Sequence, residues 1–262
     1  MKIVVCVKYV PDAASGRTFS ADHTTERESV DGLLSELDEY AVEEALAVAA
    51  DHDGDVTVLT MGPAEAVTAI KKSLQMGADA GVHICDDAIA GSDSIATSLV
   101  LSKAVEKIGE DGAVDLVLAG LASTDGVMSV VPAMMAQRLG LPQVTFASEL
   151  SVTDGVVRIR RDGDDASETI EATLPALVSV TDQINDPRYP SFKGIMAAKK
   201  KPVSTWSLAD IGVDPSDVGL EAAWTTVVSI TERPEKNAGE IVTDDGNGGQ
   251  ALAAFLTSHK FA

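Results

Sequence analysis

The sequence predicts an α/β fold: a doubly wound, mostly parallel sheet with a β-hairpin and an extended C-terminal arm. Strand-like apolar runs alternate with amphipathic helical stretches through the first half of the chain, the pattern of strands joined by crossover helices. Glycine or proline punctuates most of the junctions. The 45% hydrophobic but only 4% aromatic composition suits a core of Val, Ala and Leu, and 262 residues suffice to bury one.

The first strand is expected over Ile3–Val10, closed by Pro11-Asp12, with a long polar connection to about Ser35. The first helix, LDEYAVEEALAVAADH, places Leu37, Ala41, Ala45 and Val48 on one face. Ser35 and Asp38 stand at the spacing of a capping box. Val56–Met61 is the next strand, and Gly62-Pro63 turns it into a helix that ends at Met76 before Gly77. Gly81–Cys85 is a third strand. Ser92 is expected to cap a helix carrying Ile95, Leu99, Val100 and Val105 to Ile108. Asp115–Ala119 is a fourth strand, a helical stretch runs to Leu139, and Val144–Phe146 is a fifth. A hairpin is expected around Asp154-Gly155, then an apolar strand at Leu177–Val180, a Pro-rich basic connector, and a last amphipathic helix at Gln250–His259.

Charge narrows the function classes. With 41 acidic against 20 basic residues the formal charge is −21, a field that repels nucleic acid and anionic lipid. The acids are dispersed, as in proteins of salt-accumulating organisms, which predicts loss of stability at low salt. No apolar run reaches the ~20 residues of a membrane span, so no membrane insertion is expected. The N-terminus enters a strand at once without a leader pattern, so a cytoplasmic location is expected. Cys6 and Cys85 lie in strand-like segments and read as small buried hydrophobes, and the four scattered histidines hold no metal spacing. No metal is expected.

The common nucleotide signatures, GxxxxGK[ST] and GxGxxG, are absent. Gly91-Ser92-Asp93-Ser94 lacks the paired glycines of a phosphate loop, and a helix cap accounts for it. Gly120–Val131, GLASTDGVMSVV, follows a parallel strand and leads into a helix, where open sheets bind ligands and helix N-termini meet anions. Ser123, Thr124 and Asp125 are placed to hydrogen-bond an adenine or ribose; a polar strand-to-helix turn is the simpler alternative. Lys199-Lys200-Lys201 is a lone basic cluster on an acidic chain, beside Arg188, Tyr189, Phe192 and Met196. That combination favours a protein-docking loop over a merely solvated face.

VVCVKYVPD, DEYAVEEAL, TMGPAEA, SLQMGAD, DLVLAG, LGLPQVTFAS, LPALVSV and NDPRYPSFKGIMAAKKKP occur in this order within residues 1–205. Together they resemble the β subunits of electron-transfer flavoproteins, and the last resembles that family's dehydrogenase-recognition loop. The resemblance implies a nucleotide-binding domain at 1–205, of the adenine nucleotide α-hydrolase type, with the recognition loop at 183–202 and a C-terminal arm at 206–262 packing on a partner. It implies an electron carrier rather than an enzyme, paired with a larger α subunit that binds most of an FAD. Such a carrier takes electrons from dehydrogenases, such as the acyl-CoA dehydrogenases of fatty acid β-oxidation, and passes them to a membrane-bound quinone oxidoreductase. No catalytic residue is assigned.

Carried over by position, an AMP site would use Cys6, Ser35, Leu37, Asp38, Met61, Gly120, Ala122, Ser123, Thr124, Asp125, Gly126, Ser129, Val130 and Val131. Phe192 takes the position of the hydrophobic side chain offered to the dehydrogenase. One departure is visible. Where the family carries a polar run such as Asp-x-x-Thr-Gly-Gln, this chain has Asp125-Gly126-Val127-Met128-Ser129-Val130-Val131, and Ser35 replaces a common Asn. Side-chain donors to a phosphate are thereby largely lost, so AMP, another nucleotide or an empty site stays open. Two alternatives remain: a universal-stress-type adenine-nucleotide module, and a flavin-bifurcating relative with a second FAD.

Overall fold

The computed structural model describes residues 1–27, 30–234, 239 and 241–261, and divides into two compact units, Met1–Val228 and Ser229–Ala262. The first unit is an α/β sheet structure. Its strands are β1 (Lys2–Cys6), β2 (Tyr9–Pro11), β3 (Gly32–Leu34), β4 (Asp55–Met61), β5 (Ala80–Ile84), β6 (Leu116–Gly120), β7 (Gln143–Thr153), β8 (Val156–Asp162), β9 (Ser167–Thr173), β10 (Ala176–Val180) and β11 (Val203–Trp206). The helices are α1 (Glu36–Asp51), α2 (Val67–Met76), α3 (Ser94–Ile108), α4 (Val131–Leu139) and α5 (Phe192–Ala198), with α6 (Gly248–Ser258) in the second unit. The main sheet runs β11-β5-β4-β1-β6-β10-β7-β8-β9, parallel from β11 to β7 and antiparallel over the last two pairings.

Strand alternation gives the sheet two apolar faces. Ile3 and Val5 of β1 join Ala41 and Ala45 of α1 and Ile70 and Leu74 of α2 in one buried cluster. Val4 and Cys6 join Val100 and Ala104 of α3 and Met135 of α4 in the other. Helices on both faces make the sheet doubly wound, as expected. The core continues past residue 205, with Leu208, Ile211, Val213 and Val218 all buried.

Several local expectations need correcting. The first strand stops at Cys6, and Tyr9–Pro11 pairs instead with Gly32–Leu34 in a separate two-stranded sheet. There the Gly32 amide donates to the Tyr9 hydroxyl at 3.1 Å, and a Cβ at Gly32 would lie 2.1 Å from the Tyr9 ring. Ser35 starts α1 but makes no side-chain cap, so no capping box forms. α3 is capped by Asp93 rather than Ser92. The short fifth strand is an eleven-residue strand that passes through a bulge at Ala147/Glu149, leaves the parallel sheet and becomes the first arm of the hairpin. Its turn is as expected, with positive φ at both Asp154 and Gly155. β9, α5 and β11 were not foreseen: β9 alternates charge with Ile170 and Ala172, and the other two are short and weakly patterned.

Candidate functional site

Chain order reverses between β1 and β6, since the chain leaves β1 for β4 and β5 on one side and returns to β6 on the other. The crevice outside the carboxyl ends of two such strands is where open α/β sheets bind ligands. Most of the residues expected to bind nucleotide converge here. Cys6 ends β1, Gly120 ends β6, Met61 ends the adjacent β4, and Ser35, Leu37 and Asp38 open α1. Ser35 is buried, and its Oγ accepts from the Thr124 amide at 3.4 Å, which ties α1 to the loop after β6. A Cβ at Gly120 would fall 2.6 Å from Asp38 Oδ1 and 2.7 Å from the Leu37 carbonyl oxygen, so only glycine permits this approach.

Two carboxyl groups in the crevice sit in opposite states. Asp38 is buried and accepts from the Lys8 amide at 2.8 Å; burial pushes its carboxyl up to about 7, against the pull of that bond and of the Lys8 charge. The Asp125 side chain is also covered, yet Lys8 Nζ lies 3.0 Å from its Oδ1 and Arg27 Nη2 pairs with its Oδ2. Burial acts upward there too, but the two cations hold this carboxyl well below the usual range. Both oxygens of Asp125 are thus engaged inside the chain. The Cys6 thiol is pushed up to about 12, first by burial and then by the Asp38 charge, so it stays a neutral packing group. Lys8 and Arg27 were missed by the sequence reading. Lys8 was legible as a lone cation two residues past a buried strand, whereas Arg27 carried no such signal.

The loop from Ala122 to Val131 offers backbone rather than side chains. The Gly126 amide donates to Asp125 Oδ1 at 2.7 Å and the Val127 amide to the Ser123 carbonyl at 3.0 Å. Val127 and Ser129 take positive φ of 52° and 58°, costly for a β-branched residue. Left-handed Ser129 followed by right-handed Val130 turns consecutive amides to one side, the arrangement of an anion nest, at the start of α4. Among the described residues, the amides of Met128, Ser129 and Val130 donate to no backbone carbonyl. These residues fit a phosphate bound through main-chain N–H groups.

The second set of expected residues lies on the connection from β10 to β11. Arg188 does not project freely: its backbone amide, Nε and Nη2 all donate to Glu43 of α1, at 3.1, 2.7 and 2.8 Å. Asn185 adds bonds to the Tyr40 carbonyl and to Glu44 Oε2, at 3.1 and 3.0 Å. Glu44 lies on the buried face of α1, and burial raises its carboxyl. An acid three residues after Ala41 on an apolar face was a readable sign that a partner would come from elsewhere in the chain. Lys201 is turned inward, donating to the Gly77 and Ala78 carbonyls at 2.7 and 2.5 Å beyond the end of α2. A Cβ at Gly194 would lie 2.5 Å from the Gln75 carbonyl oxygen, so α5 sits directly on α2. What remains outward is an apolar group, Phe192 at 81% and Tyr189 at 91% exposure with Ile195 and Met196 one turn on, flanked by exposed Lys193, Lys199 and Lys200.

Among the described residues no group of three His, Cys, Asp or Glu could hold a metal ion, and no helix is long and apolar enough to cross a membrane. The family described as "Electron transfer flavoprotein domain" matches residues 23–211. The chain is similar to electron transfer flavoprotein subunit beta of Mycobacterium tuberculosis strain H37Rv, 49% identical over 98% of both chains. It is also similar to the caffeyl-CoA reductase-Etf complex subunit CarD of Acetobacterium woodii, 38% identical over 93% of this chain and 92% of that one. Electron transfer flavoprotein subunit beta of Megasphaera elsdenii is 32% identical over 96% of this chain and 95% of its own.

Proposed function

This chain belongs to the electron transfer flavoprotein family as a β-type subunit, and on that premise we propose that it is the nucleotide-bearing, dehydrogenase-docking half of a heterodimeric electron carrier. A larger α-type subunit holds most of the FAD, which supplies the redox chemistry. The carrier collects electrons from dehydrogenases such as acyl-CoA dehydrogenases and delivers them to a quinone oxidoreductase. The chain itself catalyses no reaction and works in the cytoplasm.

The observation that carries this reading is the exposed apolar face of α5, held on a loop braced by Arg188 on Glu43 and by Gly194 against α2. An apolar patch on a braced support is what a transient protein contact needs. We read residues 1–205, with Leu208, Ile211, Val213 and Val218 completing the core, as an adenine nucleotide α-hydrolase-type domain with its recognition loop at 183–202, and the rest of 206–262 as an arm laid on the partner. The crevice holds AMP: Ser123 and Thr124 face the nucleoside, and the amides of 128–130 take the phosphate in place of missing side-chain donors. Asp125 contributes by fixing Lys8 and Arg27 rather than by touching the ligand.

A second reading, FAD rather than AMP at this crevice, draws support from the similarity to a reductase-complex subunit. Co-expression with the larger subunit tests both. A yellow complex that releases FAD and AMP in equal amounts upholds the first reading, and two FAD without AMP upholds the second. A chain that never acquires flavin or a partner overturns both.

A further inference from the structure

One helix serves both the crevice and the docking loop. The first turn of α1 faces the crevice, where Ser35 Oγ accepts from the Thr124 amide at 3.4 Å and Asp38 Oδ2 from the Lys8 amide at 2.8 Å. The next turn holds the root of the loop. There the Tyr40 carbonyl and Glu44 Oε2 accept from Asn185 Nδ2, and Glu43 accepts from the amide, Nε and Nη2 of Arg188. Asp38 and Glu43 stand only about 8 Å apart along the axis, at a rise of ~1.5 Å per residue. Both regions also leave one sheet edge, since Gly120 and Val180 are partners at the ends of β6 and β10. Asn185 is committed to the joint: both its partners are acceptors, so its NH2 end must face α1, and its buried Oδ1 accepts from no donor among the described residues.

The crevice end of α1 is lightly fastened, and the loop it leans on is strained. Ser35 directs its oxygen to Thr124 and makes no side-chain cap, so the first turn lacks the bond that usually steadies a helix start. In the loop itself Val127 and Ser129 are held at φ of 52° and 58°, and the amides of Met128, Ser129 and Val130 donate to no backbone carbonyl. A loop in this condition is costly to order alone, and an anion on those amides offsets that cost. With 128–130 engaged, Thr124 is fixed against Ser35, and the start of α1 is fixed with it.

We infer that α1 couples the crevice to the docking loop, so that AMP in the crevice stiffens residues 185–198 and speeds reduction of the carrier by the dehydrogenase. The inference rests on the nucleotide-bearing, dehydrogenase-docking reading above and adds regulation to it. A steady first turn lets the second turn present Tyr40, Glu43 and Glu44 in one arrangement, and Asn185 and Arg188 carry that arrangement to Phe192. The coupling is reciprocal: a dehydrogenase seated on the loop tightens AMP by the same factor.

The test uses the complex with the larger subunit, reassembled with FAD and with or without AMP. On adding AMP, hydrogen exchange at the amides of 185–198 slows by roughly fivefold or more. The edge strands β8 and β9, which among the described residues make no hydrogen bond to α1, serve as the reference and stay unchanged. Stopped-flow reduction at subsaturating dehydrogenase rises by a similar factor. Asn185→Ala cuts the joint and abolishes both effects although AMP still binds. Arg188→Ala cuts the other tie at an exposed residue, where the fold is not at risk, and diminishes both. Equal exchange with and without AMP overturns the inference, and so does an AMP effect undiminished in both variants. Slowing spread evenly over the chain, β8 and β9 included, overturns it as well, because that reports stability gained from a ligand and nothing more. A complex that takes up no AMP defeats the AMP reading above, whereas one that takes up AMP and leaves the loop unaltered defeats this inference alone.

Discussion

Arg188 grips Glu43 through two side-chain hydrogen bonds, Nε to Oε2 at 2.7 Å and Nη2 to Oε1 at 2.8 Å, and so fastens the proposed docking loop to the first helix of the fold. Glu43→Gln keeps the shape but loses the charge-assisted fork. The expected outcome is a severalfold slower reduction by the dehydrogenase with an unchanged flavin spectrum. Stopped-flow reduction beside an absorption spectrum checks it, and an unaltered rate would show that the brace is dispensable.

Phe192→Ala removes the apolar anchor itself. At ~2 kcal/mol for a buried interface anchor, reduction at subsaturating protein should slow roughly thirtyfold. The thermal midpoint should hardly move, because Phe192 covers no core. A loss of stability equal to the loss of rate would mean that the residue supports the fold instead.

The three lysines should separate. Lys199 and Lys200 are exposed, and replacing both by Gln should slow association by an amount that vanishes towards ~1 M salt, where the Debye length is ~3 Å. Lys201→Met should act on stability, by ~1–2 kcal/mol at any salt, because it strips donors from the Gly77 and Ala78 carbonyls. Urea titrations of the two variants at low and high salt distinguish the effects.

Asp38 gives a pH signature. Its carboxyl is raised from 3.8 to about 7 by burial, so between those values the folded chain holds a proton that the unfolded chain has released. Stability from this group therefore falls as pH rises through that window and is level above it. Asp125, whose carboxyl is depressed, acts in the opposite direction, with stability lost only as pH falls through the acid range. Asp38→Asn should flatten the decline between pH ~5 and ~7 by up to a few kcal/mol (~1.4 per pK unit). Urea midpoints across that range decide it: parallel wild-type and variant curves would refute the assignment.

The acid surface makes a prediction about medium. With a charge of −21, self-repulsion should lower the unfolding midpoint in dilute buffer and ease as salt rises. A midpoint independent of KCl from ~0.05 to ~2 M would remove the expectation of salt adaptation.

Legibility followed apolar pattern. The parallel strands other than β11, and the helices α1 to α4, were readable because their Val, Leu and Ala positions repeat at the period of each element. β9 was not, because SETIEAT shows only Ile170 and Ala172 to the core and pairs its charges across the strand, as in Arg158–Glu171. In the crevice, Gly120 was legible from its place at the end of a parallel strand, whereas Cys6 and Asp38 were placed there only by family resemblance. The pairing of Lys8 and Arg27 with Asp125 was invisible because it joins residues 117 and 98 positions apart. The same holds for Glu43 and Arg188.

The docking face on α5 is small: Phe192, Ile195 and Met196 on a helix of seven residues, with Tyr189 at its entrance. So few side chains cannot cover the ~800 Å² per partner of a durable complex. Its rigid mounting keeps encounters productive without lengthening them, and affinity among related complexes is set mainly by how fast they separate. In the proposed role that separation is an advantage. A shuttle that must leave one protein before it can serve the next has a turnover bounded by residence time, and a contact of this size favours short residence.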